Sequence, residues 1–143
     1  MTKWSIASVA IAAILATGCM TTYRHPAGAP AAKLEVSKAG VAWVCNDSEP
    51  QILRPGPDGL AVIPAGERIS VGLNYSMAGY NVTYSCYPHV NLSPAVGAVY
   101  FQDFETENEK CTAIVYRKTD DKRIGLALEP TMDANGGDCV FDD

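Results

Sequence analysis

The sequence predicts an all-β chain: a small antiparallel β-sandwich that follows a cleavable leader and a flexible tether. Three observations carry that expectation. Apolar residues recur with period two from residue 33 onward, turn-forming residues break the runs at short intervals, and no window shows the stripe of an amphipathic helix. Length and composition agree, because 143 residues, 48% hydrophobic and 19% charged, suffice for one core and are too few for two. The formal charge of -5, with 11 Lys and Arg that form no cluster, excludes a nucleic-acid partner, since phosphate binding needs basic residues gathered on one face.

The leader comes first in chain order. Met1, Thr2 and Lys3 give a positive start, residues 4–16 an almost unbroken apolar run, and Gly18-Cys19 a small-residue cleavage point. An apolar run of about 13 residues is too short for the roughly 20 that a bilayer-spanning helix needs, so residues 1–18 read as a signal peptide. The run Leu15-Ala16-Thr17-Gly18-Cys19 resembles the lipobox of bacterial lipoproteins, although Ala16 stands where Leu is usual. That resemblance implies a diacylglyceryl group on the Cys19 sulfur, cleavage before Cys19, and acylation of the new amine. It also implies sorting to the outer membrane of a Gram-negative host, because Met20 stands where Asp would hold such a protein at the inner membrane. Loss of Lys3 leaves ten Lys and Arg against sixteen Asp and Glu, a mature charge of -6, which does not favour anionic lipid.

Residues 19–32 comprise the acylated Cys19 and a Pro- and Ala-rich stretch, MTTYRHPAGAPAA, with no apolar period. This reads as a tether that reaches at most roughly 40 Å when extended, and residues 33–143 as the folded domain.

Within the domain, residues 69–75 alternate Ile69, Val71, Leu73 and Tyr75 with Ser70, Gly72 and Asn74. Residues 80–86 alternate Tyr80, Val82, Tyr84 and Cys86 with Asn81, Thr83 and Ser85. Weaker strands fall at 34–36, 41–45, 60–63, 90–92, 98–104, 112–118 and 123–128. Pro57-Asp58-Gly59, Pro64-Ala65-Gly66, Ala78-Gly79, residues 93–97 and residues 119–122 supply the turns. Many short strands at this spacing mean a β-sandwich or a small barrel, and the expectation adopted is a sandwich of immunoglobulin- or transthyretin-like general architecture. A true immunoglobulin domain is not indicated, because Trp43 precedes Cys45 and does not lie between bridged cysteines.

With Cys19 acylated, Cys45, Cys86, Cys111 and Cys139 remain, an even set that reads as two disulfides in an exported domain. If residues 93–97 form a hairpin turn, Cys86 lies near Phe104, and a second hairpin returns Cys111 to that end. The expected pairs are therefore Cys86 with Cys111 and Cys45 with Cys139, each stabilising by about 3–4 kcal/mol in the chain-entropy model. Zinc is the rival, but there is no CxxC and only His25 and His89 could join the thiols. Residues 90–100, flanked by Cys86 and Cys111 and preceded by Pro64-Ala65-Gly66, resemble a pattern in small uncharacterised bacterial lipoproteins with a disulfide-containing all-β module. That resemblance implies an architecture and no activity.

Candidate chemistry is sparse. His89, beside Tyr87-Pro88 at an expected bulge or bend, has no nucleophile motif to serve and reads as a surface histidine. Asp103, Glu105, Glu107 and Glu109 crowd one hairpin end, where solvated charge keeps a sheet edge from pairing. The Asp133 to Asp138 turn offers oxygens for calcium but lacks the ligand spacing of a calcium loop, so a plain Gly-rich turn is favoured. The N-x-Ser/Thr triplets at Asn46, Asn74, Asn81 and Asn91 receive no glycan. Of four clustered tyrosines, the alternation buries Tyr80 and Tyr84 with Val82 and leaves Tyr75 and Tyr87, with His89, as the interaction surface. The expectation is an outer-membrane-anchored lipoprotein on the periplasmic face, held by its N-terminal lipid. It acts without cofactor, metal or catalysis as a protein-interaction module for an envelope partner. The rival is an inhibitor or immunity protein against a cell-wall hydrolase such as lysozyme, steered by acidic charge.

Overall fold

A computed structural model of the chain describes residues 19–108, 110–134 and 139. The expected signal peptide at 1–18, Glu109 of the acidic hairpin, and residues 135–138 of the candidate calcium turn lie outside the described residues. Among the described residues ten strands form in chain order: β1 (Ala31–Glu35), β2 (Val41–Cys45), β3 (Gln51–Ile52), β4 (Ala61–Pro64), β5 (Ile69–Gly79), β6 (Val82–Cys86), β7 (His89–Leu92), β8 (Val99–Glu107), β9 (Lys110–Lys118) and β10 (Leu126–Leu128). One sheet runs β10-β9-β8-β1-β4. The other runs β3-β2-β5-β6, with β7 also paired to β5. The all-β sandwich is therefore present, and period two is its cause. Ile69, Val71 and Leu73 of β5 face inward with Ala42 and Val44 of β2 and Val90 and Leu92 of β7, against Leu34, Ile63, Tyr100 and Val115 of the other sheet. Full burial of each large apolar side chain contributes about 1.5–3 kcal/mol. The buried Gln102 is satisfied, with Nε2 donating to the Gly72 carbonyl at 3.0 Å and Oε1 accepting from the Ser37 N–H at 3.4 Å.

Four details depart from the sequence expectation. First, residues 93–97 are no hairpin: they carry the chain from β7 in one sheet to β8 in the other, and β8 pairs with β1 in parallel, Leu34 opposite Tyr100. Gly97, at φ 73°, donates its N–H to the Ala31 carbonyl at 2.8 Å and fastens this crossing to β1. Second, Tyr87-Pro88 inserts no bulge. Tyr75 opposes Cys86 and Gly72 opposes His89, so β6 and β7 keep one register across a proline that merely lacks an N–H to give. Third, β3 escapes sequence reading because two residues carry no period, and β10 is shorter than expected because a turn closes at Gly125, φ 72°.

Fourth, residues 20–32 are no free tether. Thr22 pairs in parallel with Ile52 at the outer edge of β3, where Ile52 N–H donates to the Thr21 carbonyl at 2.7 Å and Tyr23 N–H to the Ile52 carbonyl at 2.9 Å. Ala31 and Ala32 already belong to β1. Tyr23 packs against the core, and its hydroxyl meets His25 Nδ1 at 3.0 Å. Because His25 Nε2 donates to the Ala29 carbonyl at 3.1 Å, Nδ1 accepts from the tyrosine.

Both disulfides form in the expected pairs. Cys45 is joined to Cys139, 94 residues away, and Cys86 to Cys111, 25 residues away. The route to the second pair differs from the expected one: Cys86 ends β6 and Cys111 lies in β9, so the bond staples the two sheets together.

On the outer face of the second sheet, Trp43 lies flat across β5. It is 1% exposed, its Nε1 donates to Asn74 Oδ1 at 2.9 Å, and its ring centroid is 6.0 Å from that of His89. Gly72 makes this possible, since a Cβ there would overlap the indole. Gly72→Ala is therefore expected to lower stability by about 1–3 kcal/mol, the usual cost of overpacking. Urea denaturation checks this, and an unchanged midpoint would show that the indole does not need that space. In the same assay, Cys45→Ser with Cys139→Ser should cost more than Cys86→Ser with Cys111→Ser, about 4–5 against 3–4 kcal/mol, because it opens the longer loop.

Candidate functional site

β5 has eleven residues, and only its first part lies within the sandwich. β2 accompanies it as far as Asn74; from Tyr75 to Gly79 it pairs with β6 alone and forms a two-stranded ribbon. Asn81, at φ 57°, closes the tip, a left-handed position that Asn tolerates. Cross-strand pairs sort the side chains. Tyr75, Met77, Val82 and Tyr84 share the face that continues the core, and Ser76, Ala78, Thr83 and Ser85 share the other, where Ser85 Oγ and Ser76 Oγ lie 3.2 Å apart.

The alternation thus assigns the faces correctly and the burial wrongly. The opposite sheet reaches only the ribbon's root, where Tyr75 packs on Phe104 at a centroid distance of 5.0 Å beside the Cys86–Cys111 bond. Beyond it nothing described covers Met77, Val82 or Tyr84, which are 50%, 45% and 47% exposed, and Tyr80 at the tip is 94% exposed. Tyr80 and Tyr84, expected in the core, lie in the open; Tyr75, expected at the surface, is half-buried. Tyr87 is exposed as expected, but it stands opposite Asn74 on the ribbon's other face. His89 is half-buried under Trp43, and its Nδ1 lies 3.3 Å from the Tyr87 carbonyl oxygen, so the expected surface histidine is part of a packed cluster. The sequence did hold a signal for the ribbon. Between Arg68 and Asp103 there is no Lys, Arg, Asp or Glu.

The first described residues, Cys19 and Met20, lie beside this ribbon. Asn74 Nδ2 approaches Met20 Sδ at 3.8 Å, and Cys19, one residue earlier, is exposed and carries the chain's one unpaired thiol. Farther along, the segment walls an open cleft of about 570 Å³ with Asn46, Gln51, Glu67 and Val96. Burial, with the Glu67 carboxylate nearby, pushes the Tyr23 phenol above its ordinary pKa.

The carboxylates of β8 point outward from their sheet, because Tyr100, Gln102 and Phe104 take the inward positions between them. Asp133 of the candidate calcium turn is engaged by Arg68 at 3.3 Å and by backbone pairing to Asn91. Among the described residues, no three His, Cys, Asp or Glu side chains come together as a metal site.

A buried carboxylate went unnoticed in the sequence. Glu129 is 3% exposed; its Oε1 accepts from Thr131 N–H at 3.1 Å and from Thr131 Oγ1 at 2.7 Å, while Oε2 has no hydrogen-bond partner among the described residues. Burial, together with the Glu129 charge, pushes the Tyr100 phenol up, and Tyr100 Oη accepts the Ala95 N–H at 2.9 Å. No sequence signal marks Glu129, because its burial depends on how the residues after β10 fold back over β9. This cluster pins that return.

Comparison with protein-family models, with curated proteins and with solved structures found no match to this chain.

Glu129→Ala is expected to cost about 1–3 kcal/mol of stability by stranding the Thr131 donors. Thermal unfolding measures it, and a stabilised variant would show that the half-satisfied carboxylate is a net burden.

Proposed function

We propose that this chain is a lipoprotein of the outer membrane, held at the periplasmic face by acyl chains on Cys19, and that its sandwich serves envelope proteins as a non-catalytic interaction module. The observation that carries this reading is how the five cysteines divide: four pair in two disulfides, and the one left over is the exposed Cys19 that follows Leu15-Ala16-Thr17-Gly18. Two disulfides suit an exported domain in an oxidising compartment. One acyl chain holds only marginally, at about 0.8 kcal/mol per buried methylene, whereas two or three together hold durably. The outward carboxylates Asp103, Glu105 and Glu107 favour a second reading, an inhibitor that meets a basic cell-wall hydrolase.

Mass spectrometry of the native amino-terminal peptide should find acylated Cys19, and an unmodified cysteine would overturn the anchor. Cys19→Ser should move the protein to the soluble fraction. Crosslinking in cells should recover other envelope proteins, while strong protection of peptidoglycan from added lysozyme would transfer the assignment to the inhibitor.

A further inference from the structure

The β5–β6 ribbon and the β8–β9 hairpin leave the sandwich at the same end, and they are built by opposite rules. Past their contacts with β1 and β10, β8 and β9 carry Asp103, Glu105, Glu107 and Lys110, charges of the kind that stop another chain from adding to an open edge. Residues 75–86 have no such protection, since they contain no charge and no proline. Among the described residues no strand pairs with the outer edge of β6, nor with β5 beyond Asn74 on the β2 side. The apolar face of Met77, Val82 and Tyr84, tipped by Tyr80, therefore stands in water on an acidic protein.

A second observation places the amino-terminal segment at the ribbon's root, on the side of Asn74 and so of the ribbon's polar face. The Met20 side chain rests against Asn74, the residue before the ribbon begins, and two backbone hydrogen bonds fix residues 21–23 to Ile52. Cys19 is thus held at the ribbon's root with one residue of freedom, so any surface that holds Cys19 lies against that root.

We infer that the ribbon is this protein's second contact with the lipid bilayer, entering the headgroup layer of the membrane that holds Cys19. This inference rests on the anchor proposed above. Five residues separate Tyr75 from Tyr80, roughly 17 Å at about 3.3 Å per residue. The headgroup layer is about 5–8 Å deep in each leaflet. A ribbon leaning over from Cys19 therefore brings its tip to the acyl boundary while its unpaired backbone groups stay among hydrated headgroups, where they cost little. Tyrosine favours that layer, since its ring is apolar and its hydroxyl is wet. The β8 carboxylates do not oppose the approach, because their side chains point away from the ribbon. Lys38, exposed in the turn that leads to Val41 opposite Asn74, offers a cation to lipid phosphate at the same end.

The test uses the acylated full chain in phosphatidylethanolamine–phosphatidylglycerol vesicles whose acyl chains carry bromine, a short-range quencher of tryptophan. Tyr80→Trp is compared with Val96→Trp, an exposed position in the 93–97 crossing at the opposite end. The Tyr80→Trp protein should lose most of its added emission and the Val96→Trp protein should keep it; equal emission from the two would overturn the contact. The mass of the amino-terminal peptide separates the two readings. Absent acyl chains defeat the anchor, whereas acylated protein with surviving Tyr80→Trp emission defeats the ribbon contact alone. If the Cys19→Ser chain sediments as a dimer that Tyr84→Lys dissociates, the ribbon's occupant is a second copy and the membrane contact is overturned.

Discussion

The unbroken register of β5 is the constraint on which the other features depend. One strand of eleven residues pairs with β2 on one side and with β6 and β7 on the other, and the same offset runs from Ile69 opposite Leu92 to Gly79 opposite Val82. That offset sets Gly72 beneath Trp43, sends Ile69, Val71 and Leu73 into the core, and brings Cys86 level with Tyr75, from which it reaches Cys111 in the facing sheet. A slip of one residue would invert every one of these relations, because side chains alternate faces with period two. The sandwich is closed by apolar contact, and the inter-sheet disulfide holds the end where that contact runs out.

What was legible in the sequence follows from this. Alternation located β2, β4, β5, β6, β8 and β9, and for β5 and β6 it chose the inward face, since period two is a property of the strand itself; in β2 the inward residues are Ala42 and Val44, not Val41, Trp43 and Cys45. Burial is a property of what lies opposite, and the alternation of Val82 and Tyr84 could not report that the facing sheet stops at Phe104. The cysteine pairing was reached through a hairpin at 93–97 that does not exist. It came out right because the β8–β9 hairpin does exist and delivers Cys111 to the correct end. The Pro- and Ala-rich stretch 20–32 read as a tether because a single added strand residue, Thr22 beside Ile52, leaves no period to detect. Glu129 was invisible for a similar reason: its burial is created by a chain return that no local pattern encodes.

The electrostatic layout has one internal contrast. Acidic residues outnumber basic ones sixteen to eleven, and those of β8 are turned outward, while the stretch from β5 to the start of β8 is without Lys, Arg, Asp or Glu. Part of that stretch is core and needs no charge. The ribbon is not core, and its neutrality has no explanation in folding, since a solvated edge is ordinarily charged.

The parallel pairing of β1 with β8 bears on how the chain matures. β1 lies between β4, which follows it closely in sequence, and β8, which follows some 65 residues later, Lys33 meeting Val99. Contacts this distant make folding slow, because the loop must close before the pairing rewards it. A chain synthesised amino terminus first cannot complete the first sheet piece by piece; β1 waits with one side open until almost three quarters of the polypeptide has been made.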